Sequence, residues 1–144
     1  MNKKILFFDI DGTLLTRDFK IPDSTRTALK KAQENGHLIF VNTGRTRAML
    51  PPSVSELGFD GYVLGCGSHI YLHDKLLFFR TVPNLLCKET VQLLRKCKIE
   101  ALFEGNTEIM YDSASPAQSS FGEKMRQEIP MVDINKFGRE EACT

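Results

Sequence analysis

Two acids stand one residue apart in Phe7-Phe8-Asp9-Ile10-Asp11-Gly12-Thr13-Leu14-Leu15, at the end of an apolar run. Where a buried strand gives way to a loop, such side chains diverge, so one carboxylate can attack while the other handles a proton. Asp-x-Asp-Gly also opens calcium loops, but those need a third oxygen-bearing residue and a glycine at the sixth position. Here Gly12 comes fourth and follows an apolar run. A simple turn in which Asp11 caps backbone amides accounts for Asp11-Gly12-Thr13 and leaves the acid at position 9 unexplained.

The elements that must carry these acids are legible from punctuation. Residues 4–10 form a short apolar run, and Ile21-Pro22-Asp23-Ser24 opens a helical pattern through Ala28, Leu29 and Ala32 that Gly36 closes. A second run, Leu38-Ile39-Phe40-Val41, ends in Asn42-Thr43-Gly44-Arg45. The helical stretch from Thr46 is interrupted by Pro51-Pro52 and finishes at Leu57-Gly58; Tyr62-Val63-Leu64 is a third run. The alternation predicts an α/β fold, a parallel sheet covered by helices with its runs buried on both sides. Ligands bind such sheets at the carboxyl ends of the strands, so Asp11, Thr43 and Cys66 should share one rim. His69-Ile70-Tyr71-Leu72 and Leu76-Leu77-Phe78-Phe79 then read as a β-hairpin across His73-Asp74-Lys75. Beyond Pro83 the style becomes α+β: an amphipathic helix over 85–97, strands over 99–104 and 107–112 pairing across Gly105-Asn106, and a second helix over 117–128. A boundary near Arg80 to Pro83 divides a first domain, 1–82, from a second, 83–144.

Composition removes several classes of function. Nineteen basic and eighteen acidic residues in 144 leave a formal charge of +1, so no net field draws the chain to nucleic acid or to an anionic membrane. No apolar stretch approaches a membrane span or a signal h-region, and the chain reads as cytoplasmic. Cys66, Cys87, Cys97 and Cys143 lack C-x-x-C spacing and read as reduced thiols. Helical spacing with Thr90, Val91 and Leu94 marks Cys87 and Cys97 as small core residues. Cys66, His69 and His73 do not assemble a zinc site, because strand alternation sends Cys66 and His69 to opposite faces and no fourth ligand is evident. His69 and His73 then belong to the hairpin surface, and Arg47 to solvent.

Phe8-Asp9-Ile10-Asp11-Gly12-Thr13-Leu14 resembles the first motif of the haloacid dehalogenase superfamily of phosphohydrolases. Val41-Asn42-Thr43-Gly44-Arg45 is similar to the second, and the hairpin-then-cap order resembles the Cof-type sugar phosphatase branch with its C2-type cap. The resemblance covers essentially the whole chain. It implies an incomplete Rossmann-like core followed by part of an α+β cap. It also implies a magnesium-dependent phosphatase acting on a small phosphorylated metabolite, a sugar phosphate above all. Asp9 would attack phosphorus to form an aspartyl-phosphate. Asp11 would protonate the leaving alcohol and then take a proton from the hydrolytic water. Magnesium would be held by the Asp9 carboxylate and the Asp11 main-chain oxygen. Thr43 would give its hydroxyl, and Gly12 and Gly44 their amides, to phosphoryl oxygens. Arg45 would either clamp the phosphate or form a salt bridge at the start of a helix. The Asp11 carboxyl should titrate high, raised by Asp9 and partial burial against the metal's charge.

Cys66-Gly67-Ser68 departs from the branch, which has an Asn-Gly pair there, and a thiol lacks the amide's donors. A lysine after the cap and a late acidic pair are missing too, and Lys124 and Lys136 lie in the cap-like segment and take neither role. The chain reads as the front half of a longer protein, weakly active or inactive as it stands. Its first strand would be a sheet edge that invites a homo-oligomer. Phosphomutase chemistry on the same residues, or a phosphate-binding module without turnover, are the alternatives.

Overall fold

The computed structural model describes residues 2–136. The chain divides into two compact units, Met1–Arg80 and Thr81–Thr144.

The first unit is built on one five-stranded sheet. Strands β1 (Ile5–Phe8), β2 (Leu38–Asn42) and β3 (Gly61–Leu64) run parallel, and β4 (His69–Leu72) and β5 (Lys75–Phe79) extend the same sheet as an antiparallel hairpin, in the order β1-β2-β3-β4-β5. The hairpin therefore forms as expected and pairs through β4 with β3. Between β1 and β2 lies α1 (Asp23–Glu34), with Asp23 in its first turn and Lys31 in its last, each suited to the helix dipole. Gly36, at φ +80°, makes the left-handed exit that leads into β2. After β2 the two prolines admit only a 3-10 turn, Arg47–Met49, and the one-turn helix α2 (Pro52–Ser55).

Ile10, Leu14, Leu15, Leu29, Ile39, Val41, Val54, Phe59, Leu64 and Tyr71 form the core of this unit. A Cβ at Gly61 would collide with the Phe40 ring, so glycine there is a packing requirement. Burial is two-sided only in the middle of β2. In β1, Leu6 and Phe8 pack on the core while Ile5 and Phe7 remain 54% and 57% exposed. The expectation that every run is buried on both faces fails at this strand: the face that carries Leu6 and Phe8 packs on the core, and the face that carries Ile5 and Phe7 is left open.

In the second unit, α3 (Asn84–Cys97) and α4 (Ser120–Glu128) accompany a small sheet in the order β6-β7-β8. Strand β7 (Ile109–Tyr111) is antiparallel to β6 (Leu102–Glu104) and parallel to β8 (Val132–Asp133). The Ser119 hydroxyl caps α4 by accepting from the Gly122 amide at 3.0 Å. Arg95 on α3 grips Asp112 with two 2.6 Å bonds, and Asn135 donates to the same carboxylate at 2.9 Å. Cys97 is exposed and Cys87 half-buried, which corrects the core placement that their spacing suggests. Helix α3 has the apolar stripe but, among the described residues, buries none of it completely. Cys143 lies outside the described residues.

Candidate active site

Asp9 and Asp11 follow the end of β1, and Thr43, Gly44 and Arg45 follow the end of β2. Because the strands are parallel neighbours with Phe8 opposite Val41, both loops leave the sheet at the same rim. The turn Gly65–Gly67 after β3 joins them there. The fold at the first loop is fixed by its own backbone: the Ile10 carbonyl accepts from the amides of Thr13, Leu14 and Leu15, the last at 2.9 Å. Ile10, Leu14 and Leu15 are buried while Asp9, Asp11 and Gly12 stay exposed. Gly12 sits at φ +78°, where a side chain is disfavoured.

Thr43 is buried at 5% exposure. Its amide donates to the Val63 carbonyl at 3.0 Å, and its Oγ1 accepts from the Arg45 amide at 3.2 Å. The hydroxyl hydrogen is what remains for an incoming anion. Arg45 closes on Asp11 as a bidentate fork, Nε to Oδ2 at 2.8 Å and Nη2 to Oδ1 at 2.7 Å, with Nη1 donating to the Met49 carbonyl at 3.1 Å. Of the two readings of Arg45, the salt bridge is the one formed in this arrangement.

That pair reverses one electrostatic expectation. The hydrogen bond and charge of Arg45 outweigh desolvation and hold the Asp11 carboxyl below the ordinary aspartate range. Asp11 is too exposed, and the guanidinium too close, for burial and a neighbouring acid to raise it.

The residues after β3 also differ from expectation. Cys66 is not on a strand but in the 3-10 turn, at φ 54°, so alternation does not relate it to His69. His73 is exposed in the hairpin turn. His69 is buried at 7% exposure, with its ring 4.5 Å from that of Phe79 and Nδ1 2.8 Å from the Ser68 hydroxyl. Burial pushes its imidazole down. The alternation of His69 with Tyr71, both buried, was the signal that could have found it. Arg47 is exposed, as expected, and lies over the Tyr71 ring at 5.0 Å.

Magnesium suits the donors present. The loop offers hard oxygens from the Asp9 carboxylate and the Asp11 main chain, and magnesium commonly takes one or two protein carboxylates with waters and substrate phosphate. Among the described residues no group of three or more His, Cys, Asp and Glu side chains gathers to hold a metal by itself. The same residues contain no helix long and apolar enough to cross a membrane.

Known proteins resemble this chain in sequence and in fold. Pyridoxal phosphate phosphatase YbhA of Escherichia coli is 27% identical over 78% of this chain and 42% of its own. An HMP-PP phosphatase of Serratia proteamaculans is 35% identical over 47% of this chain and 25% of its own. Among solved structures, the HAD subclass IIB sugar phosphatase BT4131 superposes with a TM-score of 0.77 at 26% identity, over 98% of this chain and 54% of that one. The phosphatase BT1666 from Bacteroides thetaiotaomicron gives 0.77 at 25% identity, over 99% and 54%. The chain thus spans about half the length of these structures and less of the curated relatives. A family model described as haloacid dehalogenase-like hydrolase matches residues 6–142, and the chain belongs to that family.

Proposed function

We propose that this chain carries the nucleophile and phosphate-binding half of a magnesium-dependent phosphatase for a small phosphorylated metabolite. The observation that carries the reading is the juxtaposition of two loops at one sheet rim, Asp9 and Asp11 on one and Thr43, Gly44 and Arg45 on the other, tied by the Arg45–Asp11 fork. The relatives that act on pyridoxal phosphate and HMP-PP, and the sugar phosphatase among the solved structures, support a metabolite of that class.

In this reading an Asp9 carboxylate oxygen attacks phosphorus and the bond to the leaving oxygen breaks, giving an aspartyl-phosphate. Asp11 gives its proton to the departing alcohol. It then takes one from water as that water displaces Asp9 and inorganic phosphate leaves. Thr43 donates its hydroxyl hydrogen, and Gly12 and Gly44 their amides, to phosphoryl oxygens. Arg45 must turn from Asp11 towards the phosphate, which both clamps the substrate and frees Asp11. Magnesium, held by Asp9 and the Asp11 carbonyl, would supply the positive charge that lets a carboxylate approach a phosphate dianion.

Release of phosphate from p-nitrophenyl phosphate tests this reading. Turnover should require magnesium, stop with EDTA and be lost in Asp9→Asn. Magnesium-independent turnover, or turnover that survives Asp9→Asn, would sink it. If the chain binds phosphate through Thr43 without turnover, the phosphate-binding reading takes its place.

A further inference from the structure

Two polar side chains that this chemistry leaves unused stand beside the turn Gly65–Gly67, at the start of β4: Ser68, half-buried, and His69, buried. We propose that Ser68 and His69 form a positioning pair that locks the turn Gly65–Gly67 against the loop of Thr43, Gly44 and Arg45. The pair thereby sets where the phosphate is held without touching it. The proposal rests on the phosphatase reading above and adds two residues to it.

The turn faces two ways. Towards the phosphate loop, the Gly65 amide donates to the Arg45 carbonyl at 2.9 Å and the Cys66 amide to the Thr43 carbonyl at 3.2 Å. Both flanks of Gly44 are therefore held by this turn. The Cys66 side chain also lies beside Gly44, where a Cβ would stand 3.4 Å from Cys66 Sγ. These bonds require three consecutive left-handed residues, Gly65 at φ 54°, Cys66 at 54° and Gly67 at 92°. For Cys66 that conformation costs about 1 kcal/mol or more, so something must hold it.

Away from the loop, the Ser68 amide and hydroxyl both donate to the Gly65 carbonyl, at 3.1 and 2.8 Å. A serine hydroxyl has one hydrogen. With that hydrogen on Gly65, the 2.8 Å contact to His69 Nδ1 is satisfied only if Nδ1 carries the proton and donates. The result is a chain of donors, His69 to Ser68 to Gly65, that ends on the turn. The His69 ring is fixed in turn by burial and by the Phe79 ring. A Cβ at Gly65 would strike the Ser68 hydroxyl and lie 3.1 Å from His69 Nδ1, so the packing admits only glycine. In this tautomer His69 is a donor to Ser68 and does not activate it, so the pair positions the loop and performs no chemistry.

The test uses the full chain with Ser68→Ala, with His69→Phe, which keeps a ring against Phe79 but removes Nδ1, and with His69→Asn, which restores a donor. Two quantities are read: amide exchange at Gly65 and Cys66 by NMR, and the affinity for inorganic phosphate with magnesium. Loss of one such hydrogen bond should speed exchange at both amides and weaken phosphate binding, each about five- to tenfold, while α1 amides are unchanged. His69→Asn should restore both, and Ser68→Ala with His69→Phe should be no worse than either alone. Unchanged exchange at Gly65 and Cys66, or exchange that rises equally in α1, overturns the proposal. Faster exchange with unaltered phosphate affinity overturns the link to the phosphate loop. If the unaltered chain binds no phosphate, the phosphatase reading fails, and the exchange result still decides whether the pair holds the turn.

Discussion

A single guanidinium faces two claims at this site, because Arg45 is bound to Asp11 here and is wanted by the phosphate in the proposed reaction. The pair is partly open, with side chains 24% and 53% exposed, so it contributes no more than ~1 kcal/mol to stability. Its geometry matters more than its energy, since the fork engages both carboxylate oxygens at 2.7–2.8 Å. Lysine is a point charge and cannot reproduce that fork or a bidentate hold on phosphate. Arg45→Lys should therefore leave the melting temperature nearly unchanged and raise KM about tenfold, roughly 1.4 kcal/mol of binding, with a smaller fall in kcat. Thermal melts beside Michaelis kinetics check this, and an unaltered KM would confine Arg45 to the salt bridge. The acids, the threonine and the arginine were legible as motifs. Their pairing across 34 positions of sequence was not, because spacing along a chain does not say which of two anions an arginine will face.

Legibility at the level of elements followed local chemistry. Pro22 and Gly36 bound α1 as expected, because these residues act on the backbone alone, whereas the helical stretch from Thr46 reduces to a 3-10 turn and Pro52 starts a one-turn helix instead of interrupting a longer one. Burial of α3 and of Cys97 was misread, since an apolar stripe states what a helix can bury and only its neighbours decide what it does bury. The short strand β8 illustrates a different limit: its anchor is a polar cluster that no periodicity reveals. Burial of Asp133 pushes its carboxyl up, but bonds from Ser113 and from the amide and side chain of Asn135 outweigh this and hold it at about 2. Asp112 is likewise lowered, first by Arg95 and then by Asn135 and the Ala114 amide against burial. A carboxyl depressed in the folded state stabilises above its unfolded pKa of about 3.9. That contribution is lost as pH falls through the folded value. Melting temperature and exchange protection of β7–β8 amides should therefore decline between about pH 4 and pH 2. Asp133→Asn should start lower at neutral pH and lose less over the same interval. A variant that matches the unaltered chain at every pH would remove Asp133 from this role.

At the scale of the whole molecule, β1 is one end of the five-stranded sheet and offers an edge to a partner. The Lys4 amide donates to His37 Nδ1 at 3.3 Å and its carbonyl accepts from Leu38 at 2.9 Å, so Lys4 turns its polar backbone towards β2. By alternation Ile5 and Phe7 turn theirs to the open edge, and these are the residues with exposed side chains. The other edge, β5, is less suited to a partner, because its pairing with β4 is broken by an irregularity between Ile70 and Tyr71 that twists the strand. A second copy can meet β1 across a two-fold axis at Leu6. Antiparallel pairing then sets Ile5 opposite Phe7 in two hydrogen-bonded pairs and Lys3 opposite Asp9 of the second copy, so shape and charge agree in one register. The expected outcome is a dimer by sedimentation equilibrium. Added salt and Lys3→Glu should weaken it, since the latter puts two acids in register. Phe7→Lys, a charge on the edge itself, should give a monomer. Because Phe7 also contacts the Phe40 ring at 5.4 Å, Lys3→Glu is the cleaner arm, as it leaves the packing of β1 untouched. A monomer without any substitution, or a dimer indifferent to both, would mean that the edge is not the interface. In the proposed reaction Asp9 is the nucleophile, so a dimer paired in this register would engage it with Lys3 of the second copy, and specific activity should rise on dilution.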